Sequence, residues 1–93
     1  MSAIRFEWDE RKAAANAKKH GMTFEEARSV FLDESARVID DPDHSEGEER
    51  VVILGLSNAF RLLLVCHCFR GNDSVIRIIS ARKATRTESK SYP

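Results

Sequence analysis

Two apolar runs dominate the second half of this 93-residue chain: "FRLLLVCHCFR", residues 60–70, and "VIRIISA", residues 75–81, with only "GNDS" between them. Both are short and rich in β-branched and large apolar residues, which is a strand pattern. A four-residue connection cannot carry a crossover, so the two strands must pair antiparallel. "RVVILGLS", residues 50–57, comes just before and ends at the turn signal Ser57-Asn58. It adds a third strand to the same meander.

The first half reads differently. "IRFEWD" alternates apolar Ile4, Phe6 and Trp8 with polar Arg5, Glu7 and Asp9, as a strand with one buried face does. Asp9 is suited to cap the helix "DERKAAANAKKHG", whose alanines favour helix and whose Gly21 fits a left-handed terminus. "TFEEARSVFLD" is a second helix. Thr23 and Glu26 have capping-box spacing, and Phe24, Ala27, Val30 and Phe31 form one apolar stripe. "ARVID" can form a short strand, "DPDHSEGEE" reads as a solvated loop with His44 exposed in it, and "RKATRTESKSY" is compatible with a short last helix. The expected order is β-α-α-β-β-β-β-α. The fold class is α+β: an antiparallel β-sheet with two N-terminal helices on one side and a short C-terminal helix.

Length and charge narrow the function. A chain of this size has one core, so residues 1–93 are read as a single domain. The start of the chain has no apolar leader segment, and the longest apolar run, Leu62 to Cys66, is too short to cross a bilayer. A cytoplasmic protein without membrane contact is expected. Cys66 and Cys68, two apart on a strand, are expected to stay reduced. The net charge is zero, but residues 1–49 carry 13 acids and 7 bases while residues 50–93 carry 2 acids and 8 bases. Such a dipolar chain can offer one surface to a polyanion and another to a protein partner.

Three segments, "FEWDERKAAANAKKHGMTFEEARSVF", "EERVVILGLS…FRLLLVCHCFR" and "VIRIISARKATRTE", together resemble the BrnT toxin family of type II toxin–antitoxin systems. The resemblance spans residues 6–88 in order. It implies a RelE-like fold and a metal-independent endoribonuclease that arrests growth. It also implies a cognate BrnA-type antitoxin whose DNA-binding domain lets the complex repress its own operon, typically as a dimer or heterotetramer. The close "TESKSYP" is shorter and more mixed in charge than the basic end often found in the family.

Metal-free RNA cleavage uses the 2′-hydroxyl as nucleophile, and guanidinium groups suit the charge that develops on phosphorus. Arg77, Arg82 and Arg86 lie within ten residues. Arg77 and Arg82 are the candidate catalytic cations, and neither a second acid nor a pair of carboxylates stands close to Arg77. His67 is the candidate general base or acid, because imidazole titrates near neutrality. Pairing residue 70 with 75 places His67 opposite 78 and residue 63 opposite 82. His67 then shares a face with Ser80 and Arg82, and Arg77 shares the other with Cys66 and Cys68. A one-residue slip would join His67 to Arg77 instead.

Lys83, Arg86, Arg61 and His20 are candidate RNA contacts. Arg61 can also pair with the acids of residues 33–49, and His20 can also cap its helix. Cys66 and Cys68 face away from His67, and no further cysteine exists. Neither a metal nor a cofactor is expected. Two other readings stay open. One is a DNA-binding regulator with residues 9–33 as helix-turn-helix, although Glu25 and Glu26 disfavour it. The other is a non-catalytic protein-binding module.

Overall fold

The computed structural model describes residues 4–39 and 50–93. The acidic loop with His44 lies outside these residues. Chain order is β1 (Arg5–Glu7), α1 (Glu10–His20), α2 (Phe24–Ser29), a 3₁₀ turn (Val30–Leu32), β2 (Arg37–Ile39), β3 (Val51–Leu56), β4 (Leu62–Arg70), β5 (Val75–Lys83) and α3 (Arg86–Ser89). This is the expected order.

The sheet runs β1-β5-β4-β3-β2. Strands β2 to β5 form the expected antiparallel meander, but β1 runs parallel to β5, pairing Phe6 with Ile76 and Glu7 with Arg77. The sheet is therefore mixed, which corrects the all-antiparallel expectation. A hairpin turn fixes the relative direction of the strands it joins. No turn joins β1 to β5, so local sequence left that direction open. The chain leaves β1 at one edge, crosses the sheet through the helices and re-enters at the other edge as β2.

Local signals set the helix ends. Asp9 accepts hydrogen bonds from the N–H groups of Arg11 and Lys12, and Gly21 closes α1 at φ 66°. Thr23 Oγ1 accepts from the Glu26 N–H at 3.1 Å. The reciprocal half of that capping box is not made, because the Glu26 carboxylate turns to Ser57 and Arg61. A complete box forms instead at α3, between Thr85 and Glu88.

The main core lies between the helices and one sheet face: Met22, Phe24, Ala27 and Val30 against Leu63, Val65, Ile76, Ile78 and Ala81. Two sites bring the layers close. The 3₁₀ turn sits directly on Gly55, where a β-carbon would stand 2.6 Å from Val30 Cγ1. Asn16, buried in α1, donates to Ala81 O at 2.8 Å and accepts from Ala81 N at 3.1 Å. It also donates to Met22 O. Its side-chain amide thus does for β5 what a neighbouring strand would do, beyond the point where β1 ends. The opposite face carries a smaller cluster, Val52, Leu54 and Leu64, with Tyr92 and Ala84 of the C-terminal segment folded onto it.

One irregularity decides which side chains share a face. Arg70 pairs with Val75 and His67 with Ile78, as the four-residue turn predicts, but Cys66 then pairs with Ser80. Ile79 is an extra residue, a β-bulge. Past it, Leu63 pairs with Lys83 and Leu64 with Arg82. Position 63 therefore does not face 82, and Arg82 and Ser80 do not share a face with His67.

Candidate functional site on the open sheet face

The bulge collects the arginines. Alternation before it puts Arg77 on the face away from the helices, opposite Cys68, and the extra residue turns Arg82 onto that face too, opposite Leu64. The two are five positions apart on one strand, roughly 15 Å. They form two ends of a strip rather than one clamp.

Each arginine is held by a carboxylate from another element. Arg77 Nη1 donates to Glu7 Oε2 at 2.6 Å, across the parallel β1–β5 pair. Arg70 Nε stands 4.0 Å from the same oxygen. The acid that pairs with Arg77 therefore comes from 70 residues away, because the parallel pairing sets Glu7 beside it. At the other end, Arg82 binds Glu88 through two parallel bonds of 2.8 Å, Nη1 to Oε1 and Nη2 to Oε2. Arg82, with the Thr85 N–H and hydroxyl, pushes the Glu88 carboxyl down to about 2, against burial.

Near Glu7 the face is open. Arg5 and Glu7 project on the same side of β1, and a recess of about 170 Å³ is lined by Arg5, Phe6, Glu7 and Val75. Arg70 and Arg77 thus stand at one carboxylate, and Arg5 lines the recess beside it. Arg5, Glu7, Arg70 and Glu88 are the members that sequence reasoning missed. The alternation of "IRFEW" marks Arg5 and Glu7 as sharing a face, but not which strand lies beside them.

His67 sits elsewhere. It is 2% exposed and faces the helices, with its ring edge-on to Phe31 at 4.8 Å and to Phe69 at 5.5 Å. Its Nδ1 lies 3.2 Å from Val65 O. Burial pushes the imidazole below its ordinary value, partly offset by that carbonyl. The structure brings it together with neither Arg77 nor Arg82.

The remaining candidates divide. Lys83 and Arg86 are exposed, at the end of β5 and the first residue of α3, and neither makes an ion pair among the described residues. Lys83 pairs with Leu63 of the main core and so stands on the helix side of the sheet, where its charge helps lower the Glu26 carboxyl; Arg86 alone follows the Arg82 end of the strip in the chain. Arg61 pairs with Glu26 of α2, Nε to Oε2 at 2.9 Å and Nη2 to Oε1. Arg61 and Ser57 hold the Glu26 carboxyl below its usual range. His20 ends α1 beside Lys18 and Lys19, the helix-terminal setting expected of it. Both α1 and α2 pack on β5, and α2 is six residues long with Glu25 exposed at its start. Cys66 and Cys68 are reduced thiols on the open face, opposite in direction to His67. No group of three or more His, Cys, Asp or Glu able to hold a metal lies among the described residues. No described helix is long and apolar enough to cross a membrane.

The chain is similar to a solved structure, the Brucella abortus ribonuclease toxin BrnT, at a TM-score of 0.68 and 24% identity, over 90% of this chain and all of that one. The likeness extends to the whole arrangement of sheet and helices. No curated protein matches the chain. The model of one family, described as the ribonuclease toxin BrnT of type II toxin–antitoxin systems, matches residues 8–88. With that span the chain belongs to the BrnT family of ribonuclease toxins.

Proposed function

We propose that this toxin is a RelE-like, metal-independent endoribonuclease, and that the open sheet face is where it binds and cuts RNA. The observation that carries the reading is the turning of Arg77 and Arg82 onto one face by the bulge, with Arg86 just beyond. A strip of cations of this length suits successive phosphates of a single strand. Carboxylates hold the two guanidiniums in fixed orientations before substrate arrives, and a phosphate competes for the same N–H groups. The 2′-hydroxyl attacks the adjacent phosphorus and the 5′-oxygen leaves, while guanidinium charge stabilises the crowded phosphorus. His67 stays outside this proton chemistry, since it lies beneath the opposite face. Arg61, committed to Glu26, and His20, at a helix end, are peripheral contacts at most.

A BrnA-type antitoxin would neutralise the toxin, and the pair would repress its operon through the antitoxin's DNA-binding part. The test is cleavage of single-stranded RNA by purified protein in EDTA. Products with a 2′,3′-cyclic or 3′-phosphate and a 5′-hydroxyl are expected. Arg77→Ala and Arg82→Ala should each lower the rate by about 10²–10³. Activity abolished by chelator and restored by a divalent ion would sink the mechanism, and full activity of both variants would remove the site.

A further inference from the structure

A cation strip binds phosphate but does not remove the proton of the 2′-hydroxyl. Three glutamates among the described residues pair with arginine, and they differ in ways that bear on that step. Glu26 has a side chain only 11% exposed, and both its oxygens are taken, by Arg61 and Ser57. Glu88 is bound on both oxygens by Arg82 and on one by the Thr85 N–H. It is held at about 2, which makes it a weak base. Glu7 is 41% exposed and engages Arg77 through Oε2 alone, while Oε1 has no partner among the described residues. It is also the carboxylate that lines an open recess with Arg5 and has Arg70 and Arg77 at its Oε2.

We infer that Glu7 is the general base of the cleavage, acting through Oε1 on a ribose seated in the recess between Arg5 and Val75. This rests on the ribonuclease reading above. The 2′-hydroxyl proton passes to the Glu7 carboxylate as the O2′–phosphorus bond forms. The phosphorus–O5′ bond breaks, O5′ takes a proton from water, and Glu7 returns its own proton to water. The products are a 2′,3′-cyclic phosphate and a 5′-hydroxyl. Arg77, tethered by Oε2, keeps the carboxylate aimed and leaves its other N–H groups for a phosphate oxygen. Arg70 and Arg5 supply the charge that draws the phosphate to this end of the strip. The centre of the chemistry is thus the β1–β5–β4 end of the face. Arg82 and Arg86 hold RNA farther along.

The experiment compares wild type, Glu7→Gln and Glu7→Asp in single-turnover cleavage across pH, with binding of uncleavable 2′-O-methyl RNA measured in parallel. Glu7→Gln should cut more slowly by roughly 10²–10⁴, lose the acid limb of the pH–rate profile, and bind the uncleavable RNA at least as well as wild type. Glu7→Asp, with its oxygen drawn back by one carbon, should retain the limb at a rate lower by about 10². It decides the matter should the Gln variant melt below the assay temperature. An active wild type with an equally active Glu7→Gln, or with an equally active Glu7→Asp where Asp decides, would overturn the inference and leave the ribonuclease reading standing. A loss of cleavage matched by an equal loss of binding would also overturn it, since Glu7 would then act only on the phosphate cradle. A wild type inert on every RNA would overturn the reading itself.

Discussion

Burial gives His67 a measurable signature even without a part in the chemistry. The folded protein holds the imidazole below 6.5 because charging it would desolvate a cation between Phe31 and Phe69. The unfolded chain takes up that proton more readily, so stability is intact above about pH 7 and falls as the pH drops through 6.5 towards the folded value. Thermal melting should show the midpoint falling between about pH 7.5 and about pH 5.5 in wild type. The fall should be smaller in His67→Gln, whose midpoint is lower at neutral pH for loss of packing. Glu88 acts in a separate window. Its pairing with Arg82 contributes at neutral pH and is lost as the pH falls from 4.5 to about 2. A midpoint with the same pH slope in wild type and His67→Gln would show that the ring is not held neutral by burial.

At the scale of elements, Asn16 joins α1 to the β5 backbone. Asn16→Ala leaves the Ala81 N–H and C=O buried without their partner. With each orphaned group costing about 1–3 kcal/mol, a loss of about 2–6 kcal/mol is expected in denaturant melts. A loss below about 0.5 kcal/mol would mean that water replaces the amide. What was legible in the sequence was local. Asp9, Gly21 and Thr23 mark helix ends through neighbours at most four residues away, and "GNDS" sets the Arg70–Val75 pairing through the turn it forms. What was not legible depended on distant partners. Glu26 has the spacing of a capping box, yet Arg61 outcompetes the Thr23 N–H for its carboxylate. Asn16 reads as an ordinary helix residue until the end of β1 exposes the edge it fills. Glu7 reads as the polar side of a strand until the parallel pairing sets it against Arg77. Even in β5, strict alternation gives the right face up to Ile78 and the wrong one from Ser80 onward.

For the whole molecule, β1 and β2 are the two edges of the sheet. One side of β1 pairs with β5; the other has no strand neighbour among the described residues. Beside it lies a groove of about 360 Å³ lined by Ile4, Phe6, Arg28, Phe31, Leu32 and Ile76, with Leu32 85% exposed and the Arg28 guanidinium 5.1 Å from the Phe6 ring. An exposed edge next to apolar surface demands cover, and the type II toxin–antitoxin family implies a protein partner. The partner suited to it is an antitoxin segment with apolar side chains and an acid for Arg28. A strand added there lies against Glu7, so the same contact that covers the edge obstructs the proposed cleavage centre. Leu32→Arg should weaken antitoxin binding at least about tenfold in titration calorimetry while RNA cleavage by the free toxin stays unchanged. Unaltered affinity would place the antitoxin elsewhere.

The bulge at Ile79 makes β5 a strand whose odd and even positions exchange roles midway: odd-numbered Arg77 and even-numbered Arg82 look the same way. Its parity can therefore absorb the loss of one residue at the bulge. A chain shortened by Ile79 would close into a regular ladder with Ile78, Ser80, Ala81 and Arg82 all keeping their present faces. A chain shortened by Ser80 would do the same for Ala81 and Arg82, with Ile79 moved to the open side. A residue lost before Ile78 would instead leave the bulge in place and shift Arg77 out of step with Arg82. Length variation among chains of this architecture should therefore gather around the bulge.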